Sequence, residues 1–286
     1  MQDRIDPLIH ERAPWLSSDR LGTRIMRAAL NDALSYRETV QIAQSLEHMP
    51  SQDIMDHMGR RLAQDVCAQG MAQVPRNGAA LIVANHPTGI ADGIILQHLL
   101  TKVRKDAFFY ANRDILRILP QMADFIAPVE WRQEKRSHGK TRETMAFTRR
   151  AVAAGRIGVI FPSGRLAKRR GLQLIERPWM ASAAMLARKF HLPVIPVNIR
   201  ARNSALFYLF DLVHPTLRDI TLFHETLNKD RQPFHVTFGA PILPNALPKS
   251  SEDGIEMLRQ ATLALGGTEA PDVSLVRATR RPLLRL

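Results

Sequence analysis

Residues 81–96 read LIVANHPTGIADGIIL. Two apolar runs flank a polar insert that holds Asn85, His86, Pro87 and Gly89, and Asp92 stands at the mouth of the second run. The first run, extended backwards by Ala79 and Ala80, follows the turn signal PRNG (75–78), a pattern that predicts a buried strand. Pro87 lacks the N–H that a ladder needs, so the strand stops there. Gly89 supplies backbone angles that other residues avoid. The segment ADGIILQHLL (91–100) then reads as a helix with Asp92 in its first turn. Strand-to-helix loops are where α/β sheets keep their sites. This stretch therefore predicts an α/β unit and marks its loop as a candidate site.

Working outward, residues 1–69 read as helical. SQDIMDHMGRRLAQDVCAQG (51–70) offers Ser51 as an N-cap and repeats Ile54, Met58, Leu62 and Val66 at helical spacing before Gly70. MAQV (71–74) and AALIVA (79–84) read as strands around the PRNG turn. Further strand candidates are AFFYA (107–111), RIGVIF (156–161), PVIPVNI (193–199) and FHVTF (234–238). RETMAFTRRAVAAG (142–155) and PWMASAAMLARKF (178–190) read as helices between them. Alternation of this kind predicts an α/β fold with a central, mostly parallel sheet flanked by helices. The expected organisation is an N-terminal helical segment (1–69), an α/β domain (70–250), and a C-terminal segment (251–286) made of one helix and a basic tail, VRATRRPLLRL (276–286). There is no internal repeat and no low-complexity linker.

Composition narrows the class. With 45% apolar and 23% charged residues in 286, the chain is globular rather than disordered. Cys67 is the only cysteine, which excludes an intrachain disulfide and a cysteine-based zinc site, and no metal is expected. The N-terminus has acids near its start and no apolar core, so it does not read as a signal peptide. Apolar runs such as ALFYLF (205–210) are too short to span a bilayer. The expectation is a cytoplasmic protein without a spanning segment. Forty Lys and Arg against 27 Asp and Glu give a net charge of +13. Such an excess implies an acidic partner: nucleic acid, an anionic membrane surface, or an acidic substrate carrier.

Common signatures are absent. HGKT (138–141) ends like a phosphate loop, but Glu134 stands where its first glycine belongs. No dinucleotide glycine fingerprint, H-E-x-x-H or G-x-S-x-G is found. His86 and Asp92 offer different chemistry. Asp92 is close enough in the chain to accept a hydrogen bond from one imidazole nitrogen, which fixes the tautomer and leaves the other nitrogen as a general base. With no serine or cysteine nucleophile nearby in sequence, such a base would act on a substrate hydroxyl directly. The plainer reading is a capped helix beside an incidental histidine.

IVANHPTGIADG (82–93) resembles the first block of the glycerolipid (PlsC-type) acyltransferases, in which the His and Asp form the catalytic pair. Five residues separate the two here, where the family usually has four, and this spacing is similar to the hemolysin-like branch that includes lyso-ornithine-lipid acyltransferases. FFYANRDIL (108–116) resembles the second block, which makes Asn112 and Arg113 candidate contacts to the acceptor's polar head. VIFPSGR (159–165) resembles the third block, F-P-E-G-T-R, and assigns Ser163, Gly164 and Arg165 to the substrate site. LPVIPVNIR (192–200) is similar to the fourth block, and NSALFYLFDLVHPTLRDITLFHETLNK (203–229) with VTFGAPI (236–242) resembles the tail of the same branch. The match covers roughly residues 70 to 245. Ser163 departs from the family glutamate, which leaves the catalytic pair untouched and bears on acceptor recognition.

The resemblance implies an acyltransferase domain over 70–250. It implies transfer of a fatty acyl group from acyl-CoA or acyl carrier protein to a lyso-lipid hydroxyl, with no cofactor beyond that co-substrate. An amino-acid-based lyso-lipid is the expected acceptor, and 1-acylglycerol-3-phosphate is the alternative. It further implies peripheral attachment to the inner face of a membrane. A non-catalytic nucleic-acid-binding protein is the rival class; it explains the charge but not the ordered blocks, and aromatic platforms are thin at 6%. The clusters Lys168-Arg169-Arg170, Arg149-Arg150 and Arg188-Lys189 read as solvated helix and loop faces, or as contacts to anionic lipid or carrier protein. SALFYLFDLV (204–213) reads as a buried helix, or as a lip that meets the bilayer or lines an acyl channel.

Overall fold

The computed structural model describes residues 1–130, 137–213, 215–267 and 272–274. Four helices come first: α1 (Gln2–Arg12), α2 (Leu21–Ala33), α3 (Tyr36–Ser45) and α4 (Ser51–Leu62). The alternating part follows with β1 (Val66–Gln69), β2 (Ala80–Ala84), α5 (Ile90–Leu100), β3 (Phe108–Asn112), α6 (Asp114–Ile118), β4 (Ile126–Val129), α7 (His138–Ala153) and β5 (Ile157–Ile160). A hairpin of β6 (Lys168–Arg170) and β7 (Gln173–Ile175) leads to α8 (Ser182–Lys189) and β8 (Val194–Arg200). The remainder is α9 (Ala205–Val213), α10 (Pro215–Glu225), β9 (Phe234–Phe238), α11 (Ser251–Ala264) and β10 (Asp272–Ser274).

Seven strands form one sheet in the order β1-β9-β8-β2-β5-β3-β4. Every neighbouring pair is parallel except β8 with β9. β2 lies at the centre and is buried along its whole length, which explains why its sequence runs apolar without alternation. Its odd and even residues serve two cores. Ile82 and Ala84 pack with α4 and α5 residues such as Met58, Ile95 and Leu99, while Leu81 and Val83 pack with Phe147 of α7, Ala187 of α8 and Leu258 of α11. A third, smaller cluster joins Ala13, Leu16 and Leu34 of the N-terminal helices to Ile220 of α10. No helix among the described residues is long and apolar enough to cross a membrane.

The N-terminal boundary of this sheet corrects the sequence reading. The helix predicted through Val66 stops at Leu62, and Val66–Gln69 is a strand paired in parallel with β9. MAQ (71–73), expected as strand, is a 3-10 turn. Gly70 makes the change of direction: its φ is +74°, and a Cβ there would lie 2.1 Å from the Phe238 carbonyl oxygen. Ser51 does not cap α4, because Pro50 takes that place and the Ser51 hydroxyl donates to Asp124 Oδ2 at 3.0 Å. β4 was not anticipated; Pro128 within it is tolerated because this is an edge strand. Lys168–Arg170 forms a strand of a small hairpin rather than a helix or loop face. Arg188 is likewise no free surface charge, since it donates to the carbonyls of Pro248 and Lys249 and to Ser251 Oγ, fastening α8 to the start of α11. The basic tail lies outside the described residues.

Candidate active site

The carboxyl end of β2 is finished by a side chain. Asn85 Nδ2 donates to the Ile199 carbonyl at 2.9 Å, and the Ile199 N–H donates to Asn85 Oδ1 at 2.7 Å. The amide thus continues the pairing with β8 for one more step and frees the main chain to turn away at Pro87. Gly89 has φ +95° and ψ −132°, a region essentially reserved for glycine. A Cβ there would also crowd Leu166 and Leu222 at 3.2 and 3.4 Å.

Asp92 is fully buried and works as a hub. Its Oδ2 accepts from the N–H groups of Thr88 (2.9 Å) and Gly89 (3.0 Å) and lies 2.9 Å from His86 Nδ1, while Oδ1 accepts from Thr88 Oγ1 at 2.5 Å. A carboxylate can only accept, so Nδ1 carries the imidazole proton and Nε2 presents its lone pair. The His86 ring stacks on Phe161, with centroids 4.2 Å apart and planes 22° apart. Its main chain is held too, because Ala167 N–H donates to the His86 carbonyl at 3.0 Å and His86 N–H donates to Glu176 Oε2 at 3.3 Å. The side chain remains 19% exposed. The arrangement is a held imidazole backed by a buried carboxylate.

Two of the backbone N–H groups at the start of α5 are committed to Asp92. Among the described residues, the N–H groups of Ile90 and Ala91 find no backbone acceptor and are the donors left at this helix terminus.

Ser163, Gly164 and Arg165 sit on the loop after β5, the strand next to β2, so the sheet order brings them beside His86. Gly164 has φ +59° in a turn closed by its N–H to the Phe161 carbonyl, and the buried Ser163 donates its hydroxyl to the Arg165 carbonyl at 2.7 Å. Asn112 ends β3 and Arg113 follows it, two strands away from β2, or about 10 Å at ordinary strand spacing. Their side chains are engaged locally: Arg113 with Glu143 at 2.6 Å, and Asn112 with Asp114. The third block is therefore assembled with the His–Asp pair, and the second block shares the same sheet edge at a distance.

Sequence reasoning passed over several neighbours. Arg177 donates from Nε to the Leu166 carbonyl at 3.0 Å, and Leu222 of α10 packs into the cluster that includes Leu166. Arg218 lies one turn before Leu222 and is paired with Asp211 at 3.2 Å. Burial, and then the charges of Arg218 and Arg165, push the Arg177 guanidinium pKa down. Beneath Asp92 lies a buried ion pair, Lys229 Nζ to Glu225 Oε2 at 2.8 Å. Burial pulls the Lys229 ammonium down. It would raise the Glu225 carboxyl, but Lys229 and the Ser204 donors outweigh it and hold that group below its usual range. None of these residues has a local sequence signal; each is supplied by a distant element.

The acyltransferase family profile matches residues 65–200. The chain is similar to lyso-glycine lipid O-acyltransferase of Phocaeicola vulgatus, at 25% identity over 180 residues, which is 61% of this chain and 63% of that protein. The corresponding protein of Bacteroides thetaiotaomicron is 25% identical over 208 residues, 69% of this chain and 73% of its own length. In fold, the chain is similar to the crystal structure of the 1-acyl-sn-glycerophosphate acyltransferase PlsC from Thermotoga maritima, with a TM-score of 0.50 at 12% identity over 85% of this chain and 96% of that one. The matched profile spans β1 to β8, the part of the sheet that carries the His86 loop, and the fold is similar to that of the PlsC structure.

Proposed function

We propose that the chain is an O-acyltransferase that moves a fatty acyl group from a thioester to the hydroxyl of a lyso-lipid. The observation that carries this reading is the 2.9 Å contact between His86 Nδ1 and a fully buried Asp92, which leaves Nε2 as the proton acceptor. As the acceptor oxygen attacks the thioester carbonyl, its proton passes to Nε2 and Asp92 stabilises the imidazolium. The N–H groups of Ile90 and Ala91 are the donors available to the developing oxyanion. Collapse breaks the C–S bond, the imidazolium returns its proton to the sulfur, and an ester and a free thiol leave. The step needs no metal and no acyl-enzyme. Acyl-CoA and acyl carrier protein both fit as donors.

The acceptor in this reading is an amino-acid-based lyso-lipid whose free 3-hydroxyacyl oxygen takes the second chain. Two similar proteins are named for a lyso-glycine lipid, and Arg165 and Arg177 offer guanidinium groups to an anionic head. The membrane surface is a peripheral partner. α9 buries Phe207 and Tyr208 but exposes Leu209, Leu212 and Val213, and α2 of the same helical layer exposes Leu21, Ile25 and Met26. An apolar face on a chain of charge +13 suits an anionic bilayer. Thiol release tests the reading, with a lyso-aminolipid and lysophosphatidic acid competing in one assay. Acceptor-dependent release with the aminolipid preferred is expected. A preference for lysophosphatidic acid overturns the acceptor, and no acceptor-dependent release with either donor overturns the activity.

A further inference from the structure

The segment after β7 carries a second buried carboxylate beside the candidate base. Glu176 Oε2 accepts the His86 N–H at 3.3 Å and Oε1 accepts Trp179 Nε1–H at 2.9 Å. The Ser163 hydroxyl also favours the ionised form of the same carboxyl group. Among the described residues no Lys or Arg lies within ion-pair distance of Glu176, although the group is buried. Burying a carboxylate without a cation is costly, and a packing role alone is met more cheaply by an apolar side chain. The nearest residue that gains positive charge in the proposed reaction is His86.

We propose that Glu176 is a positioning residue for His86, supplying from the end of β7 a carboxylate beside Ser163, where the third sequence block otherwise carries glutamate. This inference rests on the acyl-transfer reading above. Glu176 holds the His86 main chain while Asp92 holds the ring, so two carboxylates bind His86 from different elements. Its charge favours the imidazolium formed when Nε2 takes the acceptor's proton. The other charged groups around the pair are Arg165 and Arg177 on one side. On the other side, α11 places Glu252, Glu256 and Arg259 across a cleft of about 440 Å³ that Glu176 also lines. Lys229 acts on Asp92 from below. Burial raises the Glu176 carboxyl pKa and so works against its charge, while the Trp179, His86 and Ser163 donors oppose that shift.

The test compares Glu176→Gln, the double variant Glu176→Gln with Ser163→Glu, and His86→Ala, reading kcat, KM, the pH–rate profile and the melting midpoint. Glu176→Gln is expected to lower kcat on the order of 10- to 100-fold with little change in acceptor KM. Its acid limb should move about 0.5 to 1 pH unit lower, because the imidazolium has lost one of two flanking carboxylates. Returning the carboxylate through Ser163→Glu should restore part of kcat and move the limb back. If Glu176→Gln does not fold, Glu176→Asp carries the test: it keeps the charge, so kcat falls while the acid limb stays in place, and a displaced limb overturns the proposal. Inactive His86→Ala beside Glu176→Gln of wild-type kcat overturns this inference alone. A lowered kcat with an unmoved limb and no rescue does the same, leaving Glu176 as a structural prop. An active His86→Ala overturns the base assignment and this inference together.

Discussion

Asp92→Asn separates geometry from charge at the site. Three donors converge on Oδ2: His86 Nδ1, Thr88 N–H and Gly89 N–H, at 2.9, 2.9 and 3.0 Å. An asparagine that places its carbonyl oxygen there keeps all three, and its amide nitrogen can donate to the Thr88 hydroxyl in place of Oδ1. Each retained bond changes from charge-assisted to neutral, a difference of about 1 kcal/mol. Three such bonds set an upper limit of about 3 kcal/mol on lost stability, partly offset because a buried charge is removed. The variant should therefore fold, with a melting midpoint lowered by no more than about 10 °C. Catalysis loses more. A carboxylate about 4 Å from the imidazolium charge contributes about 4 kcal/mol at an effective dielectric of 20. That corresponds to a fall in kcat of about 1,000-fold. Thiol release from acyl-CoA with a saturating lyso-lipid acceptor measures it, beside circular dichroism to show the fold. Turnover within a few-fold of wild type would refute the role of Asp92, whatever the melting midpoint.

Two further outcomes follow from the surface and from the buried pair. Vesicles of anionic lipid should bind the chain and release it as salt is raised, because attraction between exposed charges is screened over about 8 Å at physiological ionic strength; equal, salt-independent binding to neutral vesicles would instead assign attachment to the apolar face of α9, and Leu212→Ser should then abolish it. Lys229→Met should lower stability by about 3–5 kcal/mol in urea unfolding, whereas Lys229→Met with Glu225→Gln should recover much of that loss; equal loss in both would show that the pair is not coupled. The pH dependence has a definite sign: the folded-state pKa of Glu225 is depressed, so its stabilisation is present above the ordinary carboxylate value near 4.3 and fades only as pH falls through the lower folded value.

The fold was legible where one element's sequence matched one environment. β2 and β8 are buried on both faces, and an uninterrupted apolar run is what such strands require. β1 was not legible because Val66–Gln69 alternates between half-buried and exposed, and its strand identity comes from β9, which arrives more than 160 residues later. Val66 also continued a helical spacing from Ile54, so local periodicity argued for the wrong element. Only the pairing partner decides between the two. α9 shows the same limit in a different form. Its apolar run predicts a helix correctly, but burial depends on what covers each face, and Leu209, Leu212 and Val213 are left uncovered.

The candidate site divides along the same line. His86 and Asp92 lie on one strand–loop–helix unit, so proline, glycine and spacing are enough to bring them together. Even the tautomer follows, since a carboxylate at the first turn of α5 can only accept. Arg113 shows what motif order leaves out: it stands at the correct edge of the sheet but is tied to Glu143, so nearness in a block does not amount to nearness in space. Glu176 and Arg177 show the converse. IERPW (175–179) has no composition or spacing that marks it, yet the β6–β7 hairpin folds this segment back onto the main chain of His86. The change at Ser163 is therefore incomplete as a guide to the acceptor. A carboxylate missing from the third block is present beside His86 by another route, and in the proposed reading an anionic head would meet Arg165 and Arg177 in its presence. A carboxylate or phosphate head approaching Ser163 meets Glu176 as well as arginine, which favours a head held at Arg165 and Arg177 with its hydroxyl extended toward Nε2.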